Sequence, residues 1–188
     1  KILDSLQMNF IKNLIGLIGF IMVLLISGNL FVSYTAHEYL LLIISAVLGV
    51  AVGDLFLLAS LKRLGSGLYA VAGTSYILFV FLFAFLMFQE VIPLQVYLGG
   101  TLVILGIMIR SMTITKNNSR TQLSEGILYV LIAQALTAYS VLLVRPVMES
   151  HPVVHIAMIR FGIGVVFNMS HLLLMRGKQS VKKTVITG

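Results

Sequence analysis

The chain has no cysteine and very little charge. Without cysteine there is no disulfide framework, no thiolate metal site and no thiol nucleophile. Only 10% of the 188 residues are charged, against 59% hydrophobic and a mean hydropathy of +1.06. Soluble domains carry about 25% charged residues, so the composition excludes that class and marks an integral membrane protein. Catalytic signatures are missing as well. There is no Gly-x-Ser-x-Gly, no His-Glu-x-x-His and no close carboxylate pair within an apolar run. No ATP-binding motif is present, so any transport is secondary or facilitated, and no cofactor and no bound metal are expected.

What is present is a series of apolar runs separated by short polar turns. They cover about 10–32, 39–61, 68–88, 94–109, 126–147 and 153–175. At ~1.5 Å per residue five of these runs match or exceed the ~30 Å hydrocarbon core of a bilayer, and 94–109, at ~24 Å, falls a little short of it. Nothing alternates as barrel strands do, and a spanning segment must satisfy its own backbone. The fold class expected is therefore all-α, a polytopic transmembrane bundle of about six spanning helices. The formal charge of +7 comes from Lys and Arg between the runs, which orients helices against the cytoplasm and does not point to nucleic acid. Eleven of the 13 basic residues, Lys1 and Lys12 among them, fall on one side of a six-helix arrangement, with Arg145 and Arg160 on the other. Both ends of the chain and the polar stretch Ser111 to Glu125 are expected to be cytoplasmic, in a multi-pass protein of the cell membrane.

Small residues indicate where helices approach. Gly49 and Gly53 form a G-x-x-x-G, extended backwards by Ser45, and Gly99, Gly100 and Gly106 recur on the fourth run. Gly49, Gly53, Gly99 and Gly106 are read as helix-packing positions.

Polar residues inside the runs are the functional candidates. Asp54 stands in the apolar stretch Val50 to Leu61, roughly two-thirds of the way across by helical rise. A charge there costs ~2.5–3.5 kcal/mol on insertion scales, so it faces a cavity or a partner. Lys62, two turns on, is too far round the helix to pair with it. An Asp54 that titrates during a transport cycle would make the proton the coupling ion; a purely structural acid would be satisfied by neighbouring hydroxyls. Tyr76 on the third run, with Gln134 and Tyr139 on the fifth, either line the same pathway or bond helix to helix. Arg160 either snorkels to the interface or turns inward, where its guanidinium would hold a carboxylate or phosphate. His151 and His155, at i and i+4, have the spacing of a metal pair but no evident third ligand, and read as the start of a helix.

In sequence order these features form a pattern. Gly53-Asp54, then Ala59-Ser60-Leu61-Lys62-Arg63-Leu64-Gly65, an uncharged run, Leu86-Met87-Phe88-Gln89-Glu90, and Leu98-Gly99-Gly100-Thr101-Leu102-Val103-Ile104-Leu105-Gly106 resemble the drug/metabolite transporter superfamily, in its EamA-type ten-helix members. The resemblance covers about residues 39–110. It implies two five-helix repeats of inverted topology around a pathway for a small-molecule solute, working by alternating access in a lipid bilayer. On that mapping residues 1–112 are the latter four helices of a first repeat, 113–125 a linker, and 126–188 the opening two helices of a second. The chain then looks like a fragment lacking one helix in front and three behind. Many relatives carry a proline in the middle of the third run, where this chain has Ser75-Tyr76-Ile77, so no proline kink is expected there. The usual family arrangement also puts the loop 111–120 outside, opposite to the charge pattern; orientation is read here from the charges.

That orientation is testable. In intact cells, a cysteine introduced as Ser119→Cys should resist a membrane-impermeant maleimide and react only after lysis. Labelling before lysis would reverse the orientation.

Overall fold

The computed structural model describes residues 5–28, 31–91, 93–114 and 120–187. All regular structure among them is helical: α1 (Ser5–Ser27), α2 (Ala36–Ser45), a π-helical segment (Ala46–Gly53), α3 (Asp54–Gly73), α4 (Ser75–Phe88), α5 (Leu94–Ile114), α6 (Arg120–Leu143), α7 (Arg145–Ser150) and α8 (Val153–Thr187). The protein is an all-α polytopic bundle. Four stretches are long and apolar enough to cross a membrane: Ser5–Ser27, Ala36–Gly73, Thr121–Leu143 and Val153–Leu174. Ser75–Phe88 and Leu94–Ile107 are shorter apolar helices.

The differences from the expected runs have local causes. The first helix begins and ends earlier than the apolar run 10–32, because Asn9, Lys12 and Asn13 are carried inside it by partners on the following segment. It stops before Gly28, whose φ of 69° suits a glycine just past a helix end. The next helix opens on a capping box: the Glu38 N–H donates to Thr35 Oγ1 at 3.3 Å, and the Thr35 N–H donates to the Glu38 carboxylate at 2.7 Å.

The 38 residues Ala36–Gly73 would reach ~57 Å as one straight helix, nearly twice the hydrocarbon thickness. Gly65 divides them, at φ 70° and ψ 167°, a conformation open essentially to glycine alone. The basic turn expected at 62–67 is thus a one-residue break. The third run is interrupted at Thr74, between α3 and α4, although no proline is there. Thr74 Oγ1 donates to the Val71 carbonyl at 2.6 Å, a competing local bond of the kind that bends helices. The fifth run breaks at Val144 for the usual reason: Pro146 lacks an N–H and crowds the carbonyl four residues back. Of the expected linker 113–125, α5 continues through Ile114 and α6 starts at Arg120, while 115–119 lie outside the described residues. The early start of α6 places Leu123, 6% exposed, against Leu64 and Leu68.

The helices pair as α3 with α6 and α1 with α8; the π-helical segment lies between α6 and α8, and α4 also packs on α6. Two apolar clusters result. Leu64, Leu68, Ala72, Leu123 and Val130 pack at the end holding the Gly65 turn, and Leu42, Val144, Val147 and Ile156 at the opposite end. Between them lies a layer of buried polar groups: Asn9, Asn13, Ser45, Ser140 and Asn168.

Glycines set how closely the central helices meet. A Cβ at Gly49 would collide with Ser140 Oγ, and one at Gly53 would lie 3.2 Å from Thr137 Oγ1, both on α6. On α5 the close approach is at Gly100, where a Cβ would lie 2.7 Å from Leu78; Gly106 is in ordinary contact with Val71, and at Gly99 nothing lies within 4 Å. Gly49→Ala should therefore lower stability in detergent by ~1–3 kcal/mol through overpacking. Gly99→Ala should be neutral or stabilising, since alanine is the better helix former by ~1 kcal/mol. Equal thermal or SDS unfolding of the two variants would contradict this packing.

Candidate functional site

Asp54 is the first residue after the π-helical segment, and its carboxylate is paired with the Lys12 ammonium of α1. The Asp54 side chain is 15% exposed and that of Lys12 44%. The partner of the buried acid is thus a residue of the preceding helix, and Lys12 leaves the set of loop charges among which it was counted.

The π-helical winding explains how α1 is held there. A π turn shifts carbonyls out of the α-helical ladder and leaves them able to accept from outside. Asn9 Nδ2 donates to the Val50 and Ala51 carbonyls, each at 3.1 Å, and Asn13 Nδ2 donates to Val50 at 3.4 Å. Asn9, Lys12 and Asn13 fall at i, i+3 and i+4, one face of a helix. That face engages the π-helical segment and Asp54 together. Opposite it, a Cβ on Gly164 of α8 would lie 2.7 Å from Val50 and 3.0 Å from Asn13 Nδ2, so only a glycine admits α8 so closely. Two turns from Arg160 on α8, Asn168 is fully buried, and neither of its amide atoms has a hydrogen-bond partner among the described residues.

Arg160 turns into the bundle. Its Nη2 donates to Ser140 Oγ at 3.1 Å, and it lies 3.2 Å from the position a Gly49 Cβ would occupy. It is electrostatically coupled to Asp54 and Tyr76, so α8, α3 and α4 share one charged neighbourhood. Ser45 Oγ ties the start of this region to α6 by donating to the Ser140 carbonyl at 2.7 Å. Gln134, 7% exposed, lies beside Gly73 and reaches Tyr69, which itself feels the Asp54 charge. Tyr139 points elsewhere, edge-on to Phe83 of α4 with ring centroids 5.5 Å apart. Asp54, Tyr76 and Arg160 are thus brought together, Gln134 joins them through Tyr69, and Tyr139 belongs to the α4–α6 contact.

A cavity of about 440 Å³ opens beside Asp54 towards the Gly65 end, walled by Leu6, Leu55, Phe56, Ala59, Tyr129 and His171. Its lining is mainly apolar, and none of the five candidate residues contributes to it. Arg63 stands at its edge, 4.6 Å from the Tyr129 ring and 3.5 Å from the Glu125 carboxylate. At the other end, Arg145 pairs with Glu90 at 2.7 Å and lies 4.9 Å from the Phe88 ring.

His151 and His155 do not converge on a common point. Their rings stack on Tyr34, with centroids 4.4 and 5.4 Å from it, and Tyr34 Oη and His155 Nδ1 are 2.9 Å apart. Burial, with Tyr39 and Glu38 nearby, pushes the Tyr34 hydroxyl above its ordinary pKa, so it stays un-ionised. No group of three or more His, Cys, Asp or Glu among the described residues could hold a metal ion.

The residues sequence reasoning missed are Lys12, Asn9, Asn13 and Asn168. The signal for the first three was present, as three polar side chains on one helical face of an otherwise apolar run. The pairing is open to a double-mutant cycle. Lys12→Met and Asp54→Leu should each destabilise the bundle by leaving a charge unpaired, and the double variant should recover, with a coupling energy of roughly 1–3 kcal/mol. Strict additivity would mean that the pair contributes nothing.

Comparison with known proteins adds a finding independent of this geometry. The sequence profile described as the EamA-like transporter family matches residues 1–112, which include α1 to α4, most of α5, Lys12 and Asp54. No curated protein and no solved structure matches the chain. The match covers more than half of the 188 residues, and the helical polytopic bundle agrees with it: this chain belongs to the EamA-like transporter family.

Proposed function

We propose that the chain serves secondary or facilitated transport of a small metabolite or drug-like solute across the cell membrane by alternating access, with Asp54 as the coupling residue. Family membership supports a transporter of small solutes. The observation that carries the finer reading is the Lys12–Asp54 pair, one charge on each of two adjacent helices inside an apolar bundle. Protonating Asp54 would remove its charge and free Lys12, so one proton would change whether α1 is held to α3. That gives a proton-coupled cycle a physical lever. Tyr76, Gln134 and Arg160 are proposed as further groups along the pathway, Tyr139 as part of the α4–α6 wall beside it, and the cavity beside Asp54 as its vestibule. Residues 126–188 are proposed as the opening of a second repeat. A membrane-embedded enzyme or lipid-handling protein is the alternative, and no specific observation favours it.

Asp54→Asn keeps shape and most hydrogen bonding but removes the titration. In proteoliposomes the variant should insert normally yet lose concentrative uptake and the pH dependence of flux. Wild-type, pH-dependent flux in Asp54→Asn would remove Asp54 from the coupling step. Headgroup turnover of a lipid without solute flux would favour the alternative.

A further inference from the structure

The polar layer is not electrically balanced. Lys12 and Asp54 neutralise each other, whereas Arg160 makes no ion pair among the described residues, so these three groups together leave one positive charge inside the bundle. Its guanidinium is also under-used. Nη2 donates to Ser140 Oγ at 3.1 Å, and that hydroxyl in turn donates to the Thr137 carbonyl at 2.8 Å. Nε is buried without an acceptor. A guanidinium has five N–H donors in a planar fork, and an unpaired charge within an apolar layer is costly.

We propose that Arg160 is the binding group for a carboxylate on the transported solute, and that the solute class is accordingly a monocarboxylate. This deepens the transport reading and rests on it. The chemistry selects the ligand in two ways. A carboxylate places two oxygens in the plane of the fork and accepts two parallel N–H bonds, which a halide cannot do. A single negative charge brings the layer to neutrality, whereas a dianion such as sulfate would carry it to a net negative charge. Ser140 acts as a positioning residue, fixing the rotation of the guanidinium from α6, and the missing side chain at Gly49 lets the fork lie against the π-helical segment. Because Arg160 contacts α6 and the π-helical segment and interacts electrostatically with Asp54 of α3 and Tyr76 of α4, a carboxylate bound there would be felt by those four elements directly. Asp54 reaches α1 through Lys12. Solute on Arg160 and proton on Asp54 would therefore act on one charge cluster.

The test uses the full chain in detergent micelles at constant ionic strength and pH 7, with thermal unfolding as the readout. Sodium benzoate should raise Tm in proportion to the logarithm of its concentration above Kd, by roughly 3–6 °C near ten times its Kd. Benzamide, which has the same shape without the charge, should not, and neither should sodium chloride or sodium sulfate. Arg160→Gln should abolish the benzoate shift, and Arg160→Lys should weaken it, since an ammonium cannot present the planar fork. Equal shifts from benzamide, chloride or sulfate would overturn the proposal, as would a benzoate shift that survives in Arg160→Gln. If Arg160→Gln does not fold, the wild-type panel decides alone. Flux in proteoliposomes separates this from the transport reading. Benzoate binding without flux of any solute would sink transport and leave the carboxylate site; flux of uncharged or cationic solutes without benzoate binding would do the reverse.

Discussion

The pairing of Lys12 with Asp54 is the constraint to which the rest of the interior conforms. A lone carboxylate or ammonium at that depth is expensive, and each is tolerable because the other is there. To bring the two together, α1 must lie against the segment preceding α3, and Asn9 and Asn13 hold it by donating to carbonyls that only a π-helical winding presents. The same winding places Gly49 and Gly53 against α6, where any side chain would collide with Ser140 or press on Thr137. One local departure from α-helical geometry thus aligns an ion pair, an amide clamp and a close helix contact.

Around this layer the two ends of the bundle are built alike. Each has an apolar cluster, and each has an arginine that pairs with a glutamate on another helix or turn while lying over an aromatic ring: Arg63 with Glu125 and Tyr129, Arg145 with Glu90 and Phe88. These ion pairs are half exposed, so individually each contributes modestly, ~0–1 kcal/mol for pairs of this kind. The Lys12–Asp54 pair and the buried amide contacts of Asn9 and Asn13 sit in the middle, where they define the structure.

The helical class, the polytopic character and the need of Asp54 for a partner were legible from the chain alone, because they follow from single-residue transfer energies and run lengths; the number of full-length spans was not, since Ala36–Gly73 is one apolar stretch and Ser75–Phe88 and Leu94–Ile107 are shorter. An apolar run has no alternative to a helix in lipid, and an acid within it must have a partner. The family resemblance drawn from the motifs between Gly53 and Gly106 agrees with the family match over residues 1–112. Helix ends were less legible. The shift of α1 to Ser5–Ser27 came from polar residues that a hydropathy pattern counts as an end and the fold uses as an interface. The break at Thr74 had no proline to announce it.

Which residue partners Asp54 was decided by tertiary structure. Candidates close in sequence, such as Lys62, are placed by helical geometry on a different face, while Lys12 is brought in by antiparallel packing of neighbouring helices. The same holds for Arg160: its residue type allowed either the interface or the interior, and the contact of its guanidinium with Ser140 across Gly49 selects the interior. Tyr139 shows the converse, a polar residue of the right type on the right helix that packing directs to Phe83 instead. The sequence by itself determined what kind of environment each side chain requires, since that depends on its own chemistry and its immediate run. Which groups meet depends on helix rotation and close approach, set jointly by glycines on several helices and by the π-helical segment, and no single run encodes it.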